Sequence, residues 1–159
     1  PCGAGKLAAV LRGRASRIVG ADVSPAMLEK ARAAFAAEGV DVELREADAT
    51  ALPFRANEFE MVVCLRLLHR TPPAVRLAIV KELARVSSRG VLLSLGIVGQ
   101  IQRFRLALQR RILPDVPVPA PCTRREAGEL LEEAGLALVG ERRILPGLST
   151  ERLFHAEKR

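Results

Sequence analysis

Four groups of residues in this chain are of types and spacings that could do chemistry. Gly3, Ala4 and Gly5, followed by Lys6, Leu7 and Ala8, satisfy the pattern G-x-G-x-x-G/A, in which absent side chains let backbone N–H groups come close to a ligand at the mouth of a helix. Asp22 lies 17 residues past Gly5. At the carboxyl end of the next strand, a carboxylate there can accept two hydrogen bonds from ribose hydroxyls. Asp48, within ADATALPF, falls at the end of a third strand, where a short acid beside apolar residues suits the exocyclic amine of adenine. Together these three point to an adenosine-containing cofactor. His69 is the fourth group. It could act as a general base near neutral pH, or shape a substrate pocket beside Arg70. A triphosphate-binding loop is the rival reading of Gly5 and Lys6, but Leu7 stands where Mg²⁺ binding requires Ser or Thr.

The elements that must position these groups follow from periodicity. Residues 17–23 (RIVGADV) read as a strand, and Ser24 with Pro25 as an N-cap and first helical position. Met27, Leu28, Ala31, Ala34 and Phe35 recur at helical spacing, and Gly39 is placed to end that helix. Residues 40–47 alternate as an edge strand would, and 60–65 (EMVVCL) read as a buried strand. Pro72 and Pro73 open a helix with Val75, Ala78, Ile79, Leu83 and Val86 on one face. After the segment Ser87, Ser88, Arg89 and Gly90, residues 90–97 (GVLLSLGI) form an apolar run typical of a strand covered on both faces. A helix over about 100–113 and a proline-rich connector over 114–121 come next. Thr123 and Glu126 form a capping box for a helix ending at Gly135, with Ala127, Leu130, Leu131 and Ala134 inward. Strands near 138–145 and 151–157, joined by Pro146 and Gly147, suit an antiparallel hairpin.

Alternating strands and helices predict an α/β, Rossmann-like, doubly wound and mostly parallel sheet, with a C-terminal antiparallel strand pair. The glycine loop should follow a strand, yet only Pro1 and Cys2 precede it, so the first strand is expected to be missing from the chain. With 159 residues there is room for one domain, 1–159, divided into a cofactor-binding half (1–99) and a substrate-side half with the last strands (100–159).

Composition narrows the partners. No apolar run approaches the roughly 20 residues of a membrane span. Cys2, Cys64 and Cys122 have neither disulfide-framework nor metal-ligand spacing, which favours a reducing cytoplasm. The net charge of +7 raises nucleic acid as a partner, but only four of 25 basic residues are lysine and Trp and Tyr are absent, leaving little to stack on bases. A small-molecule substrate is the expectation. The stretch from Arg103 through Arg105 and Arg110 to Arg111 alternates with apolar residues, so it could lie on a membrane or cover an acidic substrate, though a solvated helix face is the commoner outcome.

The motifs resemble those of class I S-adenosylmethionine-dependent methyltransferases, particularly the small-molecule branch similar to ubiquinone and menaquinone methyltransferases. The likeness runs through PCGAG, GADVSPAMLEKA, ADATALPF and FEMVVCLRLLH, over residues 1 to about 99. It implies S-adenosylmethionine as cofactor: Gly3, Ala4 and Gly5 against its methionine and ribose, Asp22 with Val23 at the ribose hydroxyls, Asp48 with Ala49 at adenine, and the backbone of Cys64 at the amino group. Glu60 stands where that family usually has Asp, and Ser87 to Gly90 replace its usual Lys-Pro-Gly-Gly turn. The implied reaction is direct in-line methyl transfer to a small-molecule acceptor. A nicotinamide-dinucleotide-binding domain also fits Gly3, Gly5, Ala8 and Asp22, and a noncatalytic interaction module of the same fold is the third reading.

Overall fold

The computed structural model describes residues 1–98, 111, 122–144 and 150–159, which group into two compact units, Pro1–Pro53 and Phe54–Arg159, each taken by itself below. The expected helix at 100–113, the proline-rich connector, the Arg103–Arg110 part of the basic stretch and the Pro146–Gly147 turn lie outside the described residues.

In the first unit a single turn, α1 (Ala8–Leu11), precedes strand β1 (Val19–Asp22). Helix α2 (Pro25–Ala37) then crosses to strand β2 (Glu43–Glu46). Pro25 occupies the first helical position after Ser24, where a missing N–H costs nothing. Leu28, Ala31 and Phe35 are the residues α2 buries, and Gly39, at φ +65°, ends it. The Gly39 N–H bonds the Ala36 carbonyl and the Val40 N–H the Phe35 carbonyl, each at 3.0 Å, which is a Schellman closure. β1 and β2 run parallel with Asp22 opposite Glu46, as strands joined by a crossing helix must. Ala8, Ala31 and Phe35 form this unit's core, with Leu11, Ile18 and Leu44 packed around them.

In the second unit strand β3 (Phe59–Cys64) leads through a 3₁₀ turn (Leu68–Arg70) to helix α3 (Pro73–Val86) and strand β4 (Ser87–Gly96). Helix α4 (Arg124–Glu133) and strands β5 (Leu136–Arg143) and β6 (Glu151–Lys158) follow. The sheet order is β3-β4-β6-β5: β3 and β4 are parallel, while β6 is antiparallel to both its neighbours. The expected hairpin is present, with β6 inserted beside β4. Thr123 and Glu126 form the expected capping box, Thr123 Oγ1 accepting the Glu126 N–H and Glu126 Oε2 the Thr123 N–H. Leu68, Val80, Leu93, Leu95, Leu131 and Phe154 are among the fully buried core residues.

Three expectations change. β3 is not a buried strand, because it forms an edge of its own sheet; Met61 and Val63 are exposed there. The inner face of α3 is rotated, so that Arg76 and Val80 join Ile79, Leu83 and Val86 while Val75 and Ala78 face out. Ser87 to Gly90 do not form a turn but the start of β4, because they pair with β3, Ser87 opposite Phe59 and Gly90 opposite Met61, with an irregularity between them where the Ser87 hydroxyl donates to the Gly90 carbonyl at 2.7 Å. No helix among the described residues is long and apolar enough to cross a membrane.

Candidate functional site

The glycine segment owes its path to main-chain bonds. Cys2 donates its N–H to the Ala21 carbonyl at 2.7 Å, which lays the chain beside the end of β1, and the Gly5 N–H returns to the Cys2 carbonyl at 3.2 Å. Gly3 and Gly5 both have left-handed backbone, at φ +53° and +71°. They differ in what lies over them. A Cβ on Gly5 would meet the Ala31 main chain at 3.0 Å, so Gly5 is glycine in order to pack on α2. A Cβ on Gly3 would meet nothing within 4 Å, so at Gly3 the bare main chain faces open space.

Asp22 ends β1 and is 7% exposed. Its Oδ2 accepts the Gly3 N–H at 2.9 Å and its Oδ1 the Ser24 N–H at 3.1 Å. The carboxylate is therefore locked against the glycine segment, with each oxygen keeping a lone pair for a further donor. Val23, the next residue, is 61% exposed and half-buried Ala49 follows Asp48. Because Ala47 donates its N–H to the Asp22 carbonyl at 3.1 Å, Asp48 begins one residue beyond the point where β2 stops pairing with β1. Asp48 Oδ1 accepts both the N–H and the hydroxyl of Thr50 at 2.8 Å. The Thr50 N–H, and then its hydroxyl, hold the Asp48 carboxyl below the ordinary aspartate range. The first unit thus brings Gly3, Asp22 and Asp48 to the carboxyl ends of two neighbouring parallel strands, the end at which open α/β sheets bind ligands. Ala4 is half-buried between the two glycines.

Cys64 and His69 belong to the second unit. Cys64 closes β3, and burial pushes its thiol up, leaving it an unreactive small hydrophobe. His69 sits in the 3₁₀ turn after β3. Burial lowers its pKa, Glu151 works in the opposite direction, and Arg70, Arg66 and Arg76 lower it further. The imidazole is thereby kept neutral and available as an acceptor at neutral pH. Two residues here escape sequence reasoning, Ser94 and Glu151. Ser94 Oγ accepts the Arg66 N–H at 2.8 Å and donates to Glu151 Oε1 at 2.6 Å. Their only signal in the sequence is one hydroxyl inside an otherwise apolar strand.

Parallel strands joined by helices, with a glycine segment and two carboxylates at their carboxyl ends, define the Rossmann-like α/β class. Residues 1–90 match the methyltransferase domain family, and the chain belongs to it. An uncharacterized protein of Mycobacterium tuberculosis is 35% identical over 112 residues, covering 67% of this chain and 39% of its own length. Demethylmenaquinone methyltransferase of Thermus thermophilus is 47% identical over 62 residues, 38% of this chain and 28% of that one. The chain thus spans about two fifths of the length of the mycobacterial relatives it matches. Among solved structures, magnesium protoporphyrin IX methyltransferase of Synechocystis with bound S-adenosylhomocysteine superposes with a TM-score of 0.80 at 20% identity, over 99% of this chain and 71% of that one. A SAM-dependent methyltransferase of Methanosarcina mazei gives 0.79 at 20% identity, over 99% and 89%. The fold is shared with these enzymes across nearly the whole chain.

Proposed function

We propose that this chain is a methyltransferase domain, 1–159, that binds S-adenosylmethionine at the carboxyl ends of β1 and β2 and transfers its methyl group to a small-molecule acceptor in the cytoplasm. The observation that carries the reading is the bond from the Gly3 N–H to Asp22 Oδ2, which fixes a carboxylate against unscreened main chain in the middle of the candidate site. Asp22, with Val23 beside it, would receive ribose hydroxyls on its remaining lone pairs. Asp48 and Ala49 would meet adenine, and Gly3 and Ala4 would admit the ribose and methionine. Gly5 supports the segment from behind, packed on α2.

When bound, the sulfonium supplies an activated methyl and a good leaving group. The residues then have only to hold it, align the acceptor and exclude water, and alignment is where most of the rate arises.

Calorimetry with S-adenosylhomocysteine on the full-length protein tests this reading. Binding should be retained in wild type and weakened by about 1.5–3 kcal/mol in Asp22→Ala, the range for hydrogen bonds to a charged group. NAD⁺ serves as the comparator, because a nicotinamide domain would use the same glycines and the same Asp22. Preference for NAD⁺, or indifference to Asp22, defeats the assignment.

A further inference from the structure

Strand β5 is an edge of its sheet, and it does not keep the alternation of an ordinary strand. Leu138 stands opposite Ala156 of β6 and Gly140 opposite His155, so Val139 between them has no partner. An extra residue of this kind changes the face that every later side chain takes, and such bulges re-aim side chains beside binding sites. Glu141 and Arg143 thereby share a face with Leu136 and Leu138, the face on which β6 presents Arg152, Phe154 and Ala156. Phe154 and Ala156 are buried there, and the Glu141 side chain is only 10% exposed.

Two arginines reach that carboxylate. Arg124, the first residue of α4, places Nε 2.8 Å from Glu141 Oε2, and Arg152 Nη1 donates to Glu141 Oε1. A third, Arg143, stands directly opposite Arg152 in the register of β5 and β6, and like charges facing across a ladder destabilise it. These residues line an open groove of about 480 Å³, in which Glu141 is the one acid among the described residues. Three guanidinium groups against one carboxylate leave two positive charges over, and one carboxylate cannot use the N–H donors of three planar forks. Exposed Leu138 and Val139 give the groove an apolar side. Gly140 adds bare main chain: a Cβ there would meet nothing within 4 Å, so packing does not require the glycine. Glycine inside a strand accompanies bulges and the close approach of a ligand. The groove lies wholly within Phe54–Arg159, where Arg152 pairs with Leu95 next to the carboxyl end of β4, the end at which sheets of this class take ligands.

We propose that Arg124, Arg143 and Arg152 form a binding site for the phosphate monoester of a small organic ligand, with Leu138 and Val139 against its apolar part. Glu141 aims two of the guanidinium groups and does not itself meet the ligand. A doubly charged phosphoryl group matches both the excess charge and the fork geometry of arginine, whereas a single carboxylate would leave one charge over. Its binding also relieves the opposition of Arg143 and Arg152. The site is independent of the cofactor reading above, since it uses none of the same residues.

The test is a titration of the full-length protein with hexyl phosphate, with hexanoate and inorganic phosphate as comparators, read by calorimetry and by amide NMR shifts. Hexyl phosphate should bind more tightly than either comparator and move the amides of Arg124, Gly140 and Arg143. Arg143→Gln spares both guanidinium groups bonded to Glu141, and it should weaken hexyl phosphate by at least about tenfold, the scale of one hydrogen bond to a charged group. Its urea midpoint should hold or rise, because the facing charges are gone. Arg143→Lys keeps the charge without the fork and should recover only part of the affinity. Hexanoate binding as tightly as hexyl phosphate overturns the phosphoryl class, and inorganic phosphate binding as tightly overturns the apolar contact. Hexyl phosphate that leaves those three amides unmoved, or binds Arg143→Gln as well as wild type, overturns the site.

Discussion

Asp22 has two tasks that must be separated before any variant of it is interpreted. Its carboxylate holds the Gly3 and Ser24 N–H groups, and in the proposed complex it also receives the ribose. Asp22→Ala therefore leaves main-chain donors unpaired even without ligand, and the apo protein should lose about 1–3 kcal/mol in urea unfolding. Unchanged apo stability would mean that these bonds contribute nothing net. Asp48 presents the cleaner case, since it is exposed and its partners belong to one residue. Its pKa is depressed in the folded state, so its contribution to stability is complete above the ordinary aspartate range and is lost as pH falls through the folded value. Thr50→Val removes the hydroxyl but keeps the N–H, the larger cause. The Asp48 carboxyl should therefore rise only part of the way back, as read by NMR of the side-chain carbon. A full return to the ordinary value would place the whole effect on the hydroxyl.

Elements were legible in this chain wherever a local signal sets them. Ser24, Pro25 and Gly39 bound α2, and Thr123 with Glu126 start α4, because caps depend only on residues within a turn of the helix end. Both can be checked by stability. Gly39→Ala forces a Cβ into a left-handed position and should cost about 1–2 kcal/mol. Thr123→Ala removes half of the capping box and should cost about 1 kcal/mol. Either loss would show as a lower urea midpoint with unchanged slope. What periodicity could not see is long-range. Arg76 counts as polar in any hydropathy pattern, yet its stem is buried and its guanidinium donates to the Thr71 carbonyl at 3.0 Å, which turns the inner face of α3. Residues 87–90 look like a turn until they are paired with β3, which sets Ser87 opposite Phe59 and Gly90 opposite Met61. Likewise the meeting of Ser94 with Glu151 depends on β6 lying beside β4, a pairing no local window contains. Gly3 and Gly5 are alike by spacing and distinct in space, since only contact with α2 tells the supporting glycine from the open one.

For the molecule as a whole, ligand binding and stability are one measurement. A cofactor that binds only the folded chain adds RT ln(1 + [L]/Kd), about 2.7 kcal/mol at a hundredfold excess over Kd. Gly3, Asp22 and Asp48 all lie within Pro1–Pro53, so the added protection should register first in that unit. Hydrogen exchange with and without S-adenosylhomocysteine should show slowed amides at Gly3, Ser24 and Thr50, two of which already bond Asp22 and the third Asp48. Amides in β5 and α4 should respond less, because none of the proposed cofactor residues lies in those elements. Uniform slowing across Pro1–Arg159 would instead indicate that the ligand acts by holding the entire chain in one cooperative state. Slowing confined to β5 and α4 would place the adenosyl group somewhere other than at Asp22.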